Sequence, residues 1–86
     1  MMNSADCEYM LSKTLSFRKV YNQTWECAYW LPDTTFDAIT NYLNSVGIDC
    51  NVYRNLPGSL VHSSLILKTA ADEAAFIMLI SSLKNQ

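Results

Sequence analysis

Residues 32–47 read PDTTFDAITNYLNSVG, and residues 48–54 continue as IDCNVYR. The change of hydrophobic period between these two stretches decides the fold. Phe36, Ile39, Leu43 and Val46 recur at helical spacing and make one apolar face. Pro32-Asp33 breaks the chain before them, and Thr34 followed by Asp37 has the form of a capping box. Gly47 stands where a helix ends in a residue that tolerates left-handed backbone. The spacing predicts a helix from Thr34 to Val46. Directly after it, Ile48, Cys50 and Val52 alternate with Asp49 and Asn51, which is the pattern of a half-buried strand over 48–54.

Working backwards, Thr14 to Tyr21 and Thr24 to Leu31 read as two strands joined at Asn22-Gln23. Working forwards, Leu56-Pro57-Gly58-Ser59 has Pro and Gly where a type II turn wants them. Leu60 to Lys68 then reads as the partner of the 48–54 strand. A second helix starts at Thr69, with Asp72 three residues on and Glu73 beside it, both suited to the positive end of a helix dipole. Its stripe is Phe76, Leu79, Ile80 and Leu83. Ile77 and Met78 lie off that stripe, so this helix carries more apolar surface than one sheet face needs. Residues 1–12 read as a short helix, with Cys7, Met10 and Leu11 on one side, or as a flexible arm.

The resulting order is ββαββα, a four-stranded antiparallel sheet with two helices on one face, in a single domain spanning residues 1–86. Strand–helix–strand–strand–helix resembles the first five elements of a ferredoxin-like fold. The N-terminal strand, hairpinned to the 24–31 strand, takes the slot of the missing last strand and gives a circularly permuted ferredoxin-like sheet. This is a resemblance of fold and carries no function with it.

Half of the 86 residues are hydrophobic and only 16% are charged, which excludes a disordered chain. So few charges cover the surface of a small domain poorly, so apolar surface is expected to remain exposed or to be hidden by another chain. Net charge is −2, and Lys13, Arg18, Lys19, Arg54, Lys68 and Lys84 are scattered, which disfavours nucleic-acid binding. The start Met1-Met2-Asn3-Ser4 has neither a basic nor a long apolar segment, and no apolar run approaches a membrane span. Cys7, Cys27 and Cys50 are an odd set without CxxC spacing, as expected of reduced thiols in a cytoplasmic protein.

No catalytic constellation emerges. His62 is the only histidine and has neither a thiol placed beside it by the pattern nor a third group to orient it. The cysteine spacings match no zinc ligand pairs, so no metal is expected and the cysteines read as small buried hydrophobes. Asp33, Asp37, Asp72 and Glu73 are explained by helix capping. Two glycines leave no loop to cradle a phosphate, so no cofactor is expected.

The aromatic residues are more informative. In the 24–31 strand Trp25, Cys27, Tyr29 and Leu31 share one face, and Glu26, Ala28 and Trp30 the other, so one tryptophan points outward. In the 60–68 strand Val61, Leu65 and Leu67 alternate with Leu60, His62, Ser64 and Ile66. Trp30, Tyr53, Leu60, His62, Ile66 and Trp25 are therefore the candidate partner-binding residues, because Trp and Tyr anchor protein interfaces. The function expected is a small non-enzymatic module that occupies a protein partner, either as a single chain or as a homodimer. Its size suits a phage or mobile-element inhibitor of host defence, such as an anti-CRISPR-type protein. The alternative is a ligand-binding regulator or small enzyme on a ferredoxin-like homodimer, in which His62 and Tyr53 would matter.

Overall fold

The computed structural model describes residues 3–27, 31–53 and 64–85. Helix α1 (Ser4–Tyr9) runs into a π-helical turn at Met10–Thr14, followed by strands β1 (Phe17–Tyr21) and β2 (Thr24–Cys27). Helix α2 (Asp33–Ser45), strands β3 (Cys50–Tyr53) and β4 (Ser64–Leu67), and helix α3 (Ala70–Lys84) complete the chain. The four strands form one sheet in the order β1-β2-β4-β3, with every neighbouring pair antiparallel. That is the strand order the permuted arrangement requires. The described strands are shorter than their apolar patterns; residues 28–30 and 54–63, with the expected turn at 56–59, lie outside the described residues.

Helix α2 has the expected span to within a residue at each end, but its start is capped differently. Its N-cap is Pro32, extended at φ −60° and ψ 154°, and no side chain caps it. The Pro32 carbonyl accepts from the Thr35 and Phe36 amides at 3.0 and 3.2 Å. Helical backbone therefore begins at Asp33, and Thr34 lies inside the first turn, where it caps nothing. At the other end the Ile48 amide donates to Leu43 O at 2.9 Å and Gly47 to Asn44 O at 3.1 Å. This double closure is a Schellman motif, which needs a left-handed residue, and Gly47 supplies it at φ 87°. Val46 thereby becomes the C-cap and is 49% exposed, where the periodicity placed it in the core. Tyr42 is buried in its stead, beside Phe36, Ile39 and Leu43. For α3 the expected cap is present: the Thr69 hydroxyl accepts from the Asp72 amide at 3.1 Å.

The N-terminal segment is a third helix and part of the core. Its start is closed by a capping box, in which Asp6 N–H donates to Asn3 Oδ1 at 2.9 Å and Asn3 N–H to Asp6 Oδ2 at 3.2 Å. Cys7, Leu11 and Leu15 are 2%, 0% and 4% exposed, a four-residue repeat that an α-helix of 3.6 residues per turn cannot keep on one line. The π turn corrects the drift. Its wider closure, from the Leu15 amide to Met10 O at 2.8 Å, keeps Leu15 aligned with Leu11. Helix α1 packs on α2 and the π turn packs on α3, so this segment joins the two helices of the layer.

Beneath them lies one face of the sheet: Cys27, Cys50, Leu65 and Leu67, each 3% exposed or less. All of these residues belong to a single core with Phe36, Ile39, Leu43, Phe76 and Leu83. Cys7, Cys27 and Cys50 are buried within it as small apolar thiols. Replacing Leu11, which has no exposed surface, by Ala is expected to cost about 2–5 kcal/mol in urea-monitored unfolding. A loss below about 1 kcal/mol would show that the N-terminal helix is an appendage.

Candidate contact surface on the open sheet face

The register settles which side chains share a face, because residues directly opposite in a sheet point the same way. Trp25 lies opposite Leu65, and Leu65 opposite Val52, while Cys50 lies opposite Leu67. These belong to the helix side. The other face carries Arg18, Glu26, Ser64 and Tyr53 in one row across all four strands, since Arg18 pairs with Glu26, Glu26 with Ser64 and Ser64 with Tyr53. The next row is Tyr21, Thr24, Ile66 and Asn51, since Tyr21 pairs with Thr24 beyond the slip in β1, Thr24 with Ile66 and Ile66 with Asn51.

Tyr53 is 61% exposed at one side of this face, and Ile66 is half-buried near its centre. At the opposite side Arg18 Nη2 reaches Glu26 Oε1 at 3.2 Å. The arginine end of that pair is well exposed, so it contributes little to stability and leaves a guanidinium available to a partner. The described surface is therefore two tyrosine rings, Tyr21 and Tyr53, one at each side, and an aliphatic side chain set among hydroxyl, amide and charged groups.

Trp25 sits elsewhere. It is half-buried on the helix side, with its ring 5.5 Å from that of Phe76 at an interplanar angle of 65°. Its indole Nε1–H donates to Glu73 Oε2 at 2.9 Å, and Lys19 Nζ donates to Glu73 Oε1 at 3.1 Å. The hydrogen bond satisfies the one polar atom of the ring, so Trp25 has a full structural account. Trp30, Leu60 and His62 lie outside the described residues. Of the expected set the structure brings Tyr53 and Ile66 to one face. Arg18 and Glu26 join them there, and sequence reasoning passed over both because an isolated pair of opposite charges has no periodic signature.

On the helix side, α1 and α2 diverge around a groove of about 1070 Å³ whose lining includes Asn3, Cys7, Thr34, Ala38 and Asn41. Helix α3 leaves Ile77 and Met78 43% and 72% exposed, consistent with its surplus of apolar residues. Among the described residues, no group of three His, Cys, Asp or Glu side chains could hold a metal ion, and no helix is long and apolar enough to cross a membrane. Comparison with protein-family models, with curated proteins and with solved structures gives no match.

Two sets of titrating groups follow from this packing. The indole N–H of Trp25, and after it the Lys19 ammonium, hold the Glu73 carboxyl below its ordinary value. The Thr69 hydroxyl, and after it the Asp49 amide, do the same for Asp72. A carboxyl whose pKa is lower folded than unfolded stabilises the fold above the unfolded value, and that contribution fades as pH falls through the folded one. The urea midpoint is expected to fall below about pH 4–5, the unfolded carboxylate range, and less steeply in Glu73→Gln. Equal slopes in the two proteins would remove Glu73 from this role.

Burial pushes the Cys50 thiol up to about 11 and raises Cys7 as well. Because the thiolate is the reactive form, a thiol-specific disulfide reagent near pH 8 should modify the native protein only at its unfolding rate. Rapid reaction without denaturant would contradict the burial of these residues.

Proposed function

We propose that the protein is a non-enzymatic binding module that acts by occupying a protein partner through the open sheet face. The observation that carries this reading is Tyr53, 61% exposed, in the row next to half-buried Ile66 on the one sheet face that the helices leave uncovered. A large rigid aromatic side chain near an aliphatic one, within a polar surround, has the make-up of an interface centre and rim. From the sequence alone, Trp30, Leu60 and His62 are expected to extend the same surface.

The surround of Thr24, Asn51, Ser64 and the Arg18–Glu26 pair favours a separable partner over an obligate second copy. Permanent homodimer interfaces are more apolar than this. The setting that fits the reading is a cytoplasmic inhibitor from a phage or mobile element, acting on host defence machinery in the manner of anti-CRISPR-type proteins.

The test is capture of the partner from the native host, identification by mass spectrometry, and titration of the purified partner with wild-type protein and with Tyr53→Ala. The variant should bind roughly tenfold or more weakly, the loss expected for an interface anchor, with an unchanged circular dichroism spectrum. Unchanged affinity would sink the open-face reading. Light scattering separates the alternative of a ligand-binding homodimer, which would give twice the mass of the 9.8 kDa chain.

A further inference from the structure

Helix α3 is apolar nearly all the way round. Its inward side is fixed in the core by Phe76 and Leu83. On its outward side the exposed positions from Ala70 to Ser82 are alanines, serines, Ile77 and Met78, with no charge among them. A helix face that stays in water ordinarily carries charged residues, and a helix that is apolar on every side is ordinarily covered. Ile77 and Met78 stand 43% and 72% exposed in the middle of this face.

Beside Ile77 the surface opens into a cleft between α3 and the β1–β2 side of the sheet. Leu15, Phe17 and Trp25 line one wall, and Ile77, Ile80 and Ser81 of α3 line the other. Its volume of about 250 Å³ is below the roughly 300–1,000 Å³ of small-molecule sites and suits one long side chain. The walls call for an apolar one, and Lys84, the only charged residue of the lining, turns a cation away. Methionine answers best. It is unbranched, it adapts to an irregular gap, and its sulfur makes favourable contacts with rings such as Phe17 and Trp25.

Such a side chain already stands next to the cleft. Met78 is not part of the lining, because at 3.6 residues per turn it lies about 100° round the helix from Ile77. Ile77, Ile80 and Ser81 bracket its level along α3. A two-fold axis along the helix sets two α3 helices side by side and in register, with the Met78 flank of each against the cleft flank of the other. An interface between identical copies demands this reciprocity, since residue i meets j and j meets i. The uncharged outward side brings no like charges together. From the exposed methionine, the cleft and their common level, we infer that α3 is the seam of a homodimer in which Met78 of each copy enters the α3–β1 cleft of the other. The seam is about 20 Å long from Ala71 to Lys84 and about 20 Å wide with the cleft, roughly 400 Å² per copy against about 800 Å² in a standard interface. The dimer is accordingly weak. It shares no residue with the open sheet face and leaves that face free in both copies.

Sedimentation equilibrium of the intact chain between about 10 µM and about 1 mM is the test. The mass should rise from that of one 9.8 kDa chain toward twice that value, with a dissociation constant on the order of 100 µM. Met78→Glu and Ser81→Arg, both at exposed positions and checked for an unchanged circular dichroism spectrum, should each raise that constant at least about tenfold. Mixed in equal amounts, the two variants should associate more tightly than either does alone. One methionine contact is then intact, and the other site holds opposite charges. Tyr53→Ala should leave self-association unaltered, so failure here is separate from failure of the open-face reading. The mass of one chain at about 1 mM, a double mass that persists in both α3 variants, no gain on mixing them, or loss of association in Tyr53→Ala would each overturn the inference.

Discussion

Phe76 is the residue around which the layers are set. Phe17 from β1 meets its ring nearly edge-on at 5.6 Å and 87°, and Trp25 from β2 meets it at 5.5 Å. Such pairs are worth about 0.5–1.5 kcal/mol each beyond the area they bury. One turn earlier, Glu73 takes the Trp25 indole N–H and the Lys19 ammonium on its two oxygens. Helix α3 is thereby held against the β1–β2 half of the sheet by rings and by a charge-assisted network at the same place. Helix α2 takes the β3 side, and the N-terminal helix with its π turn joins the two.

Among the described residues every helix lies on one side of the sheet, and none covers the other. The alternation along the strands has already adapted to this. Leu65 and Leu67 are fully buried, while Ser64 and Ile66, which alternate with them, are half-exposed. Among the described residues, the polar groups of the open face keep it from being one continuous apolar patch, and Tyr21 and Tyr53 are the exposed rings on it. The exposed Ile77 and Met78 of α3 are the part of the surplus apolar surface that no element in the described chain covers.

Much of this was legible in the chain, and for physical reasons. The glycine that ends α2, the threonine that starts α3 and the alternation of 48–53 are local signals, and local geometry obeyed them. The span of α2 was legible to within a residue, but Pro32 and the Schellman closure act through backbone, so the side-chain pattern gave Thr34 a capping role and Val46 a core place that neither takes. The N-terminal helix was legible as far as Cys7 and Leu11, while Leu15 lies beyond the expected end of the helix and is brought into the core by the π turn. Of the candidate surface, Tyr53 and Ile66 followed from alternation alone. The place of Trp25 did not, because its side of the sheet depends on the register with Leu65, and its hydrogen bond to Glu73 spans 48 residues of sequence. The α1–α2 groove was invisible for the same reason, since it exists only where two distant helices diverge.

One margin of the sheet restricts how another molecule can approach. Strand β1 carries Arg18 and Lys19, and its pairing with β2 slips between Lys19 and Tyr21, which spoils it as a template for a further strand. Both features of β1 work against strand addition at that margin. There the sheet presents side chains to an approaching molecule more readily than the sequence-tolerant hydrogen bonding of its backbone.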